Sequence, residues 1–422
     1  MGRGWSVKSH KVPLIGLFIG ACIIAGAFAI YWFTLRSPKL VIQPSPESAQ
    51  ISVDGTRVNS TTIATTIGSH AVEVSAPDFV TYHKTITVKR TDQVVLPVLL
   101  KPIPSPIIIT ADTINTPDFV LNGSVYFLGN GGKTIYRTKS GSSGASPTIE
   151  PMTPDILSGV EQIIWRPDGE VAFLKRADGI YLYDFKRRDL LHQTDTLWGQ
   201  NIDAIAWSPK SDYVVYTYYS GNEKLLKRAD IQNKNTTILA NLDTENVDHP
   251  SLQWSPNGEQ ILLIPTSSQK KTNYMYTFDI FSKKISQLSD AGEVIGARFS
   301  PDGAHIAYVA PGRDQTGAAV TIIWVANSDG SGIAPLNLSV QSISEIAWLQ
   351  NSQSVVTITA TSTGEKKLVN LDLSGHTFDY QYHKLAQGFS PDFLISIPKE
   401  SKILYLDHGQ LQSLSLINPT YD

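Results

Sequence analysis

Cysteine is all but absent. The 422 residues include one, Cys22, inside an apolar N-terminal stretch, so the rest of the chain has no thiol for a disulfide or a thiolate metal site. Stability must come from packing. Basic surface is also scarce. Four of the 35 Lys and Arg residues, Arg3, Lys8, Lys11 and Arg36, fall in the first 38 positions, which hold no acid, leaving 31 against 38 acidic residues downstream. That part is net negative and has no Lys/Arg run, which argues against nucleic acid as a partner.

Catalytic patterns are missing as well. There is no Gly-x-Ser-x-Gly elbow; Gly141-Ser142-Ser143-Gly144 misses the spacing and reads as part of a loop over 139–154. The nine histidines are scattered, with no two four apart, and His70, His249, His305 and His383 read as structural or surface residues beside strands. Asp168-Gly169 and Asp302-Gly303 lack calcium-loop spacing and read as turns. No catalytic residue, cofactor or metal ligand is therefore expected, and the chain is not expected to be an enzyme.

What the sequence does contain begins with a membrane segment. Val12 to Leu35 runs without a charge, and as a helix it reaches about 36 Å, enough for a hydrocarbon core of about 30 Å. Tyr31, Trp32 and Phe33, followed by Arg36 and Lys39, mark the interface where it ends. A signal peptide cut near Ala27-Phe28-Ala29 is the alternative, but the apolar run is too long for one and continues into bulky aromatics. The lipid bilayer is thus the expected partner of residues 12–35. Three basic residues before the span against two after it put a short tail, 1–11, in the cytoplasm and the remainder outside.

Residues 40–102 switch to short alternating runs, with Asp54-Gly55 at the first break, which predicts four or five strands in a small sandwich. The stretch Pro46-Glu47-Ser48-Ala49, then Ile51-Ser52-Val53-Asp54-Gly55, Gly68-Ser69-His70-Ala71-Val72-Glu73-Val74 and Phe79-Val80-Thr81-Tyr82-His83, resembles the PEGA domain. Ser48 stands where the motif has glycine; if that position needs a positive φ, Ser48 strains the turn. The resemblance implies a structural or adhesive role.

Residues 104–418 carry a repeat. An apolar strand ends in an aromatic anchor, a Ser-Pro-Asp-Gly-like turn follows, and a second apolar strand comes next. The anchors Trp165, Trp207, Trp254, Phe299 and Trp348 are spaced 42, 47, 45 and 49 residues apart. Such periods mark a unit that buries its face only against neighbours. A third run in each unit ends in Asp184, Asp230, Asp279, Asn327 or Asp372, where side chains are expected to bond the backbone of the next turn. Weaker units at 119–136 and 396–405 bring the count to seven blades of a β-propeller, with six as the alternative, and the run Pro106 to Thr110 is expected to supply the outer strand that closes the ring. These repeats resemble the WD40-like repeats of TolB-type propellers, which also occur in the non-catalytic propellers of tricorn and prolyl-oligopeptidase-like peptidases. Outside the repeat register, Trp198 lies in a connecting segment and is the candidate for stacking on a ligand.

The fold expected is all-β after one transmembrane helix. The function expected is that of a membrane-anchored extracytoplasmic scaffold, in a bacterial cell envelope, whose propeller binds an envelope protein or glycan. The alternatives are a propeller enzyme acting on envelope carbohydrate and a cytoplasm-facing assembly platform.

Overall fold

The computed structural model describes residues 23–26 and 38–416, the latter interrupted at 91–92, 110–118, 123, 130–131, 140–147, 154–156, 187–195, 211–212, 245–246, 266–273, 290–292, 315, 361–365, 374–376, 380–392 and 397–401. Of the expected span 12–35, residues 23–26 are helical and the others lie outside the described residues. Among the described residues no helix is long and apolar enough to cross a membrane. The chain forms two units that meet in sequence between Ile103 and Pro104.

The first unit contains β1 (Lys39–Ser45), β2 (Gln50–Val53), β3 (Thr56–Val58), β4 (Thr62–Ala64), β5 (Gly68–Ser75), β6 (Tyr82–Val88) and β7 (Gln93–Leu99). They make two sheets, ordered β4-β1-β7 and β3-β2-β5-β6. Alternation puts Leu40, Ile42, Leu96 and Val98 of one sheet and Ile51, Val53, Val72 and Val74 of the other into a single core, which makes the unit a sandwich. Among the described residues there are seven strands rather than four or five. Those missed are β1, whose alternation breaks at Pro44, and β3 and β4, of three residues each. Asp54 and Gly55 both take positive φ, +50° and +76°, the requirement of the two-residue turn joining β2 to β3. In the Pro46-Glu47-Ser48-Ala49 turn between β1 and β2, Ala49 N–H donates to Pro46 O at 3.1 Å. Ser48 is not among the residues with positive φ, so serine replaces the motif's glycine without strain.

His70 points into this sandwich from β5 and is 7% exposed. Nδ1 lies 2.7 Å from Asp54 Oδ2 and Nε2 lies 2.9 Å from Thr66 O. Thr65 Oγ1 also lies 3.1 Å from Nε2; carboxylate and carbonyl only accept, so these two partners favour the imidazolium, which donates from both nitrogens. The Asp54 carboxylate first, and the Thr66 carbonyl second, raise the His70 pKa against the opposing effect of burial. Hydrogen bonds from His70 and from Ala71 N–H lower that of Asp54. The sign follows from linkage: a raised His pKa gives stability that is lost as pH rises through it, and a lowered Asp pKa gives stability lost as pH falls through it. Between the ordinary values, 3.8 and 6.5, both contributions are complete. The thermal midpoint of this unit is therefore expected to fall between pH 6 and pH 9, and His70→Gln to flatten that limb. Equal wild-type midpoints at the two pH values would contradict the assignment.

In the second unit, seven four-stranded antiparallel sheets follow among the described residues, over 119–151, 162–199, 202–241, 250–287, 296–339, 346–379 and 393–415. They are numbered blades 1 to 7. The last sheet has three strands of its own and takes its fourth from β8 (Ile107–Ile108), with Ile108 opposite Gln412 and Ile107 opposite Ser413. The expected closing strand is in place, and the count is seven.

Closure of the ring is visible in the packing. Each neighbouring pair of blades shares one apolar core. Blades 1 and 2 meet at Ile135, Leu174 and Trp165; blades 2 and 3 at Phe173 and Trp207; blades 3 and 4 at Leu226 and Phe278; blades 4 and 5 at Leu262 and Phe299. Blades 5 and 6 meet at Val309 and Trp348, and blades 6 and 7 at Leu368 and Leu394. A seventh core joins blade 7 back to blade 1 through Leu404, Phe393, Val125 and Phe127. This is the arrangement of a β-propeller.

The anchors are what each blade inserts toward the blade before it. Trp165, Trp207, Phe299 and Trp348 are buried and Trp254 is half-buried. Trp207 Nε1 donates to Ile164 O at 2.8 Å and Trp348 Nε1 to Arg298 O at 3.1 Å, in both cases the carbonyl one residue before the preceding anchor. Each anchor pairs with the residue seven positions on, as in Trp207↔Val214 and Phe299↔Ile306. Ser396↔Ile403 keeps that offset in blade 7 with serine as anchor, whereas blade 1 turns more tightly, Leu121 opposite Ser124.

Candidate functional site

An innermost strand crosses the ring from one face to the other, so each blade's first turn and third turn lie on one face, and its second turn and the link to the next blade lie on the opposite face. On the first-turn face the turns of blades 4 to 6 are tied to one another. Ser300 Oγ donates to Asp302 Oδ1 at 2.5 Å and accepts from His305 N–H at 3.0 Å, while Asp302 Oδ1 also accepts from Ala304 N–H. Ser255 and Asn257 repeat the pattern in blade 4. Neighbouring turns touch: Asp302 N–H donates to Ser352 Oγ of the next blade, and a Cβ at Gly303 (φ +76°) would lie 3.2 Å from Asn257. Their polar groups are occupied by one another.

The strand-end acids lie on this same face and do the work expected of them. Asp184 Oδ1 accepts from Lys186 N–H (2.9 Å), Asp230 Oδ1 from Lys234 N–H (2.8 Å) and Asp279 Oδ1 from Ser282 N–H (2.6 Å). Those backbone donors hold Asp230 and Asp279 below the usual carboxylate range. Being on third strands, these acids stand away from the ring axis.

The opposite face gathers polar side chains from three blades. Asp203 starts the innermost strand of blade 3, Ile202–Trp207. Lys175 ends toward this face on the second strand of blade 2, Val171–Arg176, and Tyr219 on that of blade 3, Tyr213–Ser220. His249 stands just before the innermost strand of blade 4, Pro250–Trp254, with φ +42°. Its ring stacks on Tyr219 at 4.5 Å and 13°, its N–H donates to Tyr219 Oη at 3.0 Å, and Nδ1 lies 3.0 Å from Asp203 Oδ2. Burial pushes the Tyr219 phenol up to about 12, against the opposing His249 N–H, so it stays a neutral hydroxyl. Lys175 Nζ donates to Asp203 O at 2.5 Å. Lys224 Nζ sits 3.2 Å from Asp248 and 3.4 Å from Asp243, hydrogen bonds that raise its pKa. The His249 and Asp203 side chains are 50% and 37% exposed, so the group is reachable from solvent. It can offer hydrogen bonds and charges of both signs to a ligand. Among the described residues no three His, Cys, Asp or Glu side chains lie together as a metal site.

Trp198 is placed differently from the sequence reading. It belongs to a strand, Thr196–Gly199, the outermost of blade 2, and not to a connecting segment. It is 9% exposed, packs on Phe173 (5.0 Å) and Tyr216 (5.4 Å), and donates from Nε1 to Ile231 O at 2.7 Å. Its ring is therefore committed to the blade 2 and 3 interface, with little face left for a ligand, although it borders a cleft of about 430 Å³ with Leu182, Asp184 and Gln232. The loop expected over 139–154 contains the strand Thr148–Pro151; Gly141 to Gly144 lie outside the described residues.

Among solved structures, oligogalacturonate lyase in complex with manganese is similar at 13% identity, with 75% of this chain and 98% of that one covered and a TM-score of 0.50. Hydrazine synthase of Kuenenia stuttgartiensis (12% identity, 73% and 97% covered, TM-score 0.48) and a TolB of Agrobacterium tumefaciens (17%, 56% and 85%, TM-score 0.39) are also similar. At these identities the likeness concerns the fold alone. Comparison with curated protein sequences gives no match. The small sandwich is matched by a family model, that of the PEGA domain, over residues 37–103.

Proposed function

We propose that the chain is a membrane-anchored, extracytoplasmic binding or scaffold protein of a bacterial cell envelope, held in the bilayer by residues 12–35. Its propeller engages a protein or glycan through the face that carries Asp203, Tyr219 and His249. The observation behind this reading is the cluster itself: solvent-reachable charged and aromatic side chains from three blades meet within hydrogen-bond distance on one face of the ring.

One observation favours the carbohydrate-active alternative: the His249 imidazole lies 3.0 Å from Asp203 and 3.9 Å from Asp248, two carboxylates flanking one ring. Each already has a lysine partner, Lys175 for Asp203 and Lys224 for Asp248, an arrangement suited to presenting fixed charge to a ligand. Binding is the better-supported reading. Protease treatment of intact producing cells, repeated after permeabilisation, tests it. Cleavage of the propeller in intact cells is expected for a surface-facing domain. Protection until permeabilisation, together with a topology reporter showing a cytoplasmic C-terminus, would replace the proposal with an internal assembly platform.

A further inference from the structure

Arg298 precedes the anchor Phe299 on the innermost strand of blade 5, Gly296–Phe299. Along an innermost strand, alternate backbone groups point into the sheet and toward the ring axis. In blade 6, Leu349 N–H donates into its own sheet, to Ser354 O, and the alternation then turns Ile346 C=O toward the axis. Arg298 Nη1 donates to that carbonyl at 3.0 Å, so its guanidinium lies at the channel wall. Gln253 holds the equivalent position in blade 4 and makes the matching contact, its Oε1 accepting from the axial Phe299 N–H at 3.2 Å. A neutral amide suffices there, whereas blade 5 carries a cation.

That cation is poorly compensated. A guanidinium has five N–H donors, and among the described residues Ile346 O is the acceptor Arg298 finds; no carboxylate pairs with it and no aromatic ring underlies it. Burial lowers its pKa, yet the residue keeps some accessible surface. Its partial exposure and its bond to an axial carbonyl place the side chain where solvent reaches it from the channel. A second donor lies in the same seam. Thr357 stands directly across the sheet from Ile346, on the side facing blade 5, is fully buried, and has no partner for its hydroxyl. A charge and a hydroxyl left in this condition destabilise a protein unless something satisfies them.

We propose that the axial channel of the propeller binds an oxyanion at Arg298, with Thr357 as a second donor, the group being either the carboxylate of a larger ligand entering the channel or a free inorganic ion. The planar guanidinium fork matches both. The inference rests on the closed ring and on these two side chains, not on membrane anchoring or on the His249 face, so the topology experiment leaves it untouched.

The test is thermal unfolding of the full chain in detergent, titrated at constant ionic strength with sodium sulfate, acetate or succinate against chloride. Wild type is expected to show saturable stabilisation, amounting to a roughly 100-fold shift in the folding equilibrium at 100 times Kd. A response to sulfate alone identifies a free inorganic ion, and a response to the carboxylates identifies a ligand carboxylate. Arg298→Met is expected to lose the response and to melt at or above wild type in anion-poor buffer, because the uncompensated charge is gone. Thr357→Val is expected to weaken binding about fivefold. Crystals of the wild-type chain grown in selenate, an oxyanion with an anomalous signal, keep the proposal testable if Arg298→Met fails to fold: an anomalous peak at the guanidinium supports it. Absence of that peak, or a wild type with no saturable response, overturns it.

Discussion

Trp207→Ala is expected to destabilise the propeller by about 3–5 kcal/mol, the usual cost of deleting a buried tryptophan. The indole is 6% exposed, stacks on Phe173 of the preceding blade at 4.5 Å and 14°, and donates to Ile164 O at 2.8 Å. Its loss opens a cavity in the blade 2 and 3 core and removes a donor from a carbonyl of the neighbouring innermost strand. Domains are stable by only about 5–15 kcal/mol, so one such change takes a large share of the total. Trp207→Phe separates the two contributions: it keeps most of the packing and is expected to cost about 1–2 kcal/mol for the lost hydrogen bond and reduced volume. Urea denaturation followed by circular dichroism measures both. If Trp207→Ala lies within about 1 kcal/mol of wild type, the inter-blade cores are not what hold this ring.

Substituting proline in the closing segment is the second change with a large expected effect. Ile109 N–H donates to Leu411 O at 2.8 Å, next to the Ile108↔Gln412 and Ile107↔Ser413 pairs. Ile109→Pro removes that donor and places a rigid ring at the seam, at an expected cost of about 2–4 kcal/mol. The damage should be local before it is global. Amide exchange is expected to accelerate first in the strand Gln410–Ser415 and then along the core joining blades 7 and 1, while blades 3 to 5 keep their protection. Unchanged protection of 410–415 would show that the ring closes without this strand.

The fold was legible wherever a physical requirement recurs in the sequence. A Pro-Asp-Gly turn sets backbone angles locally and an aromatic must be buried, so Trp165, Trp207, Trp254, Phe299 and Trp348 announced five blades. The two beside the closure were faint for reasons now visible: blade 7 has Ser396 as its anchor, and blade 1 turns within Leu121 to Ser124 without the proline. Trp198 was misread because its strand is four residues long and carries no alternation. The polar face was not legible. Lys175, Asp203, Tyr219 and His249 come from three blades and outside the repeat motif, and only the ring places Asp203 against His249. A weak signal was available in Asn201-Ile202-Asp203 and Asp248-His249-Pro250, where polar residues directly precede innermost strands. Arg298 was hidden by its position beside an anchor, where periodicity implied apolar packing.

The pairing of β8 with Gln410–Ser415 also sets an order of events during synthesis. Ile107 and Ile108 leave the ribosome about 300 residues before Gln412 and Ser413 do, an interval of about 15–60 s at 5–20 residues per second. Six blades can assemble on the growing chain while this apolar, β-branched strand waits without its mate. During that time it is a free template for any passing strand edge. Brevity limits the danger, since two residues offer few backbone groups to a wrong partner. The strand that completes the ring is thus among the first parts made and the last used, and the propeller's yield depends on how well the nascent chain tolerates that delay.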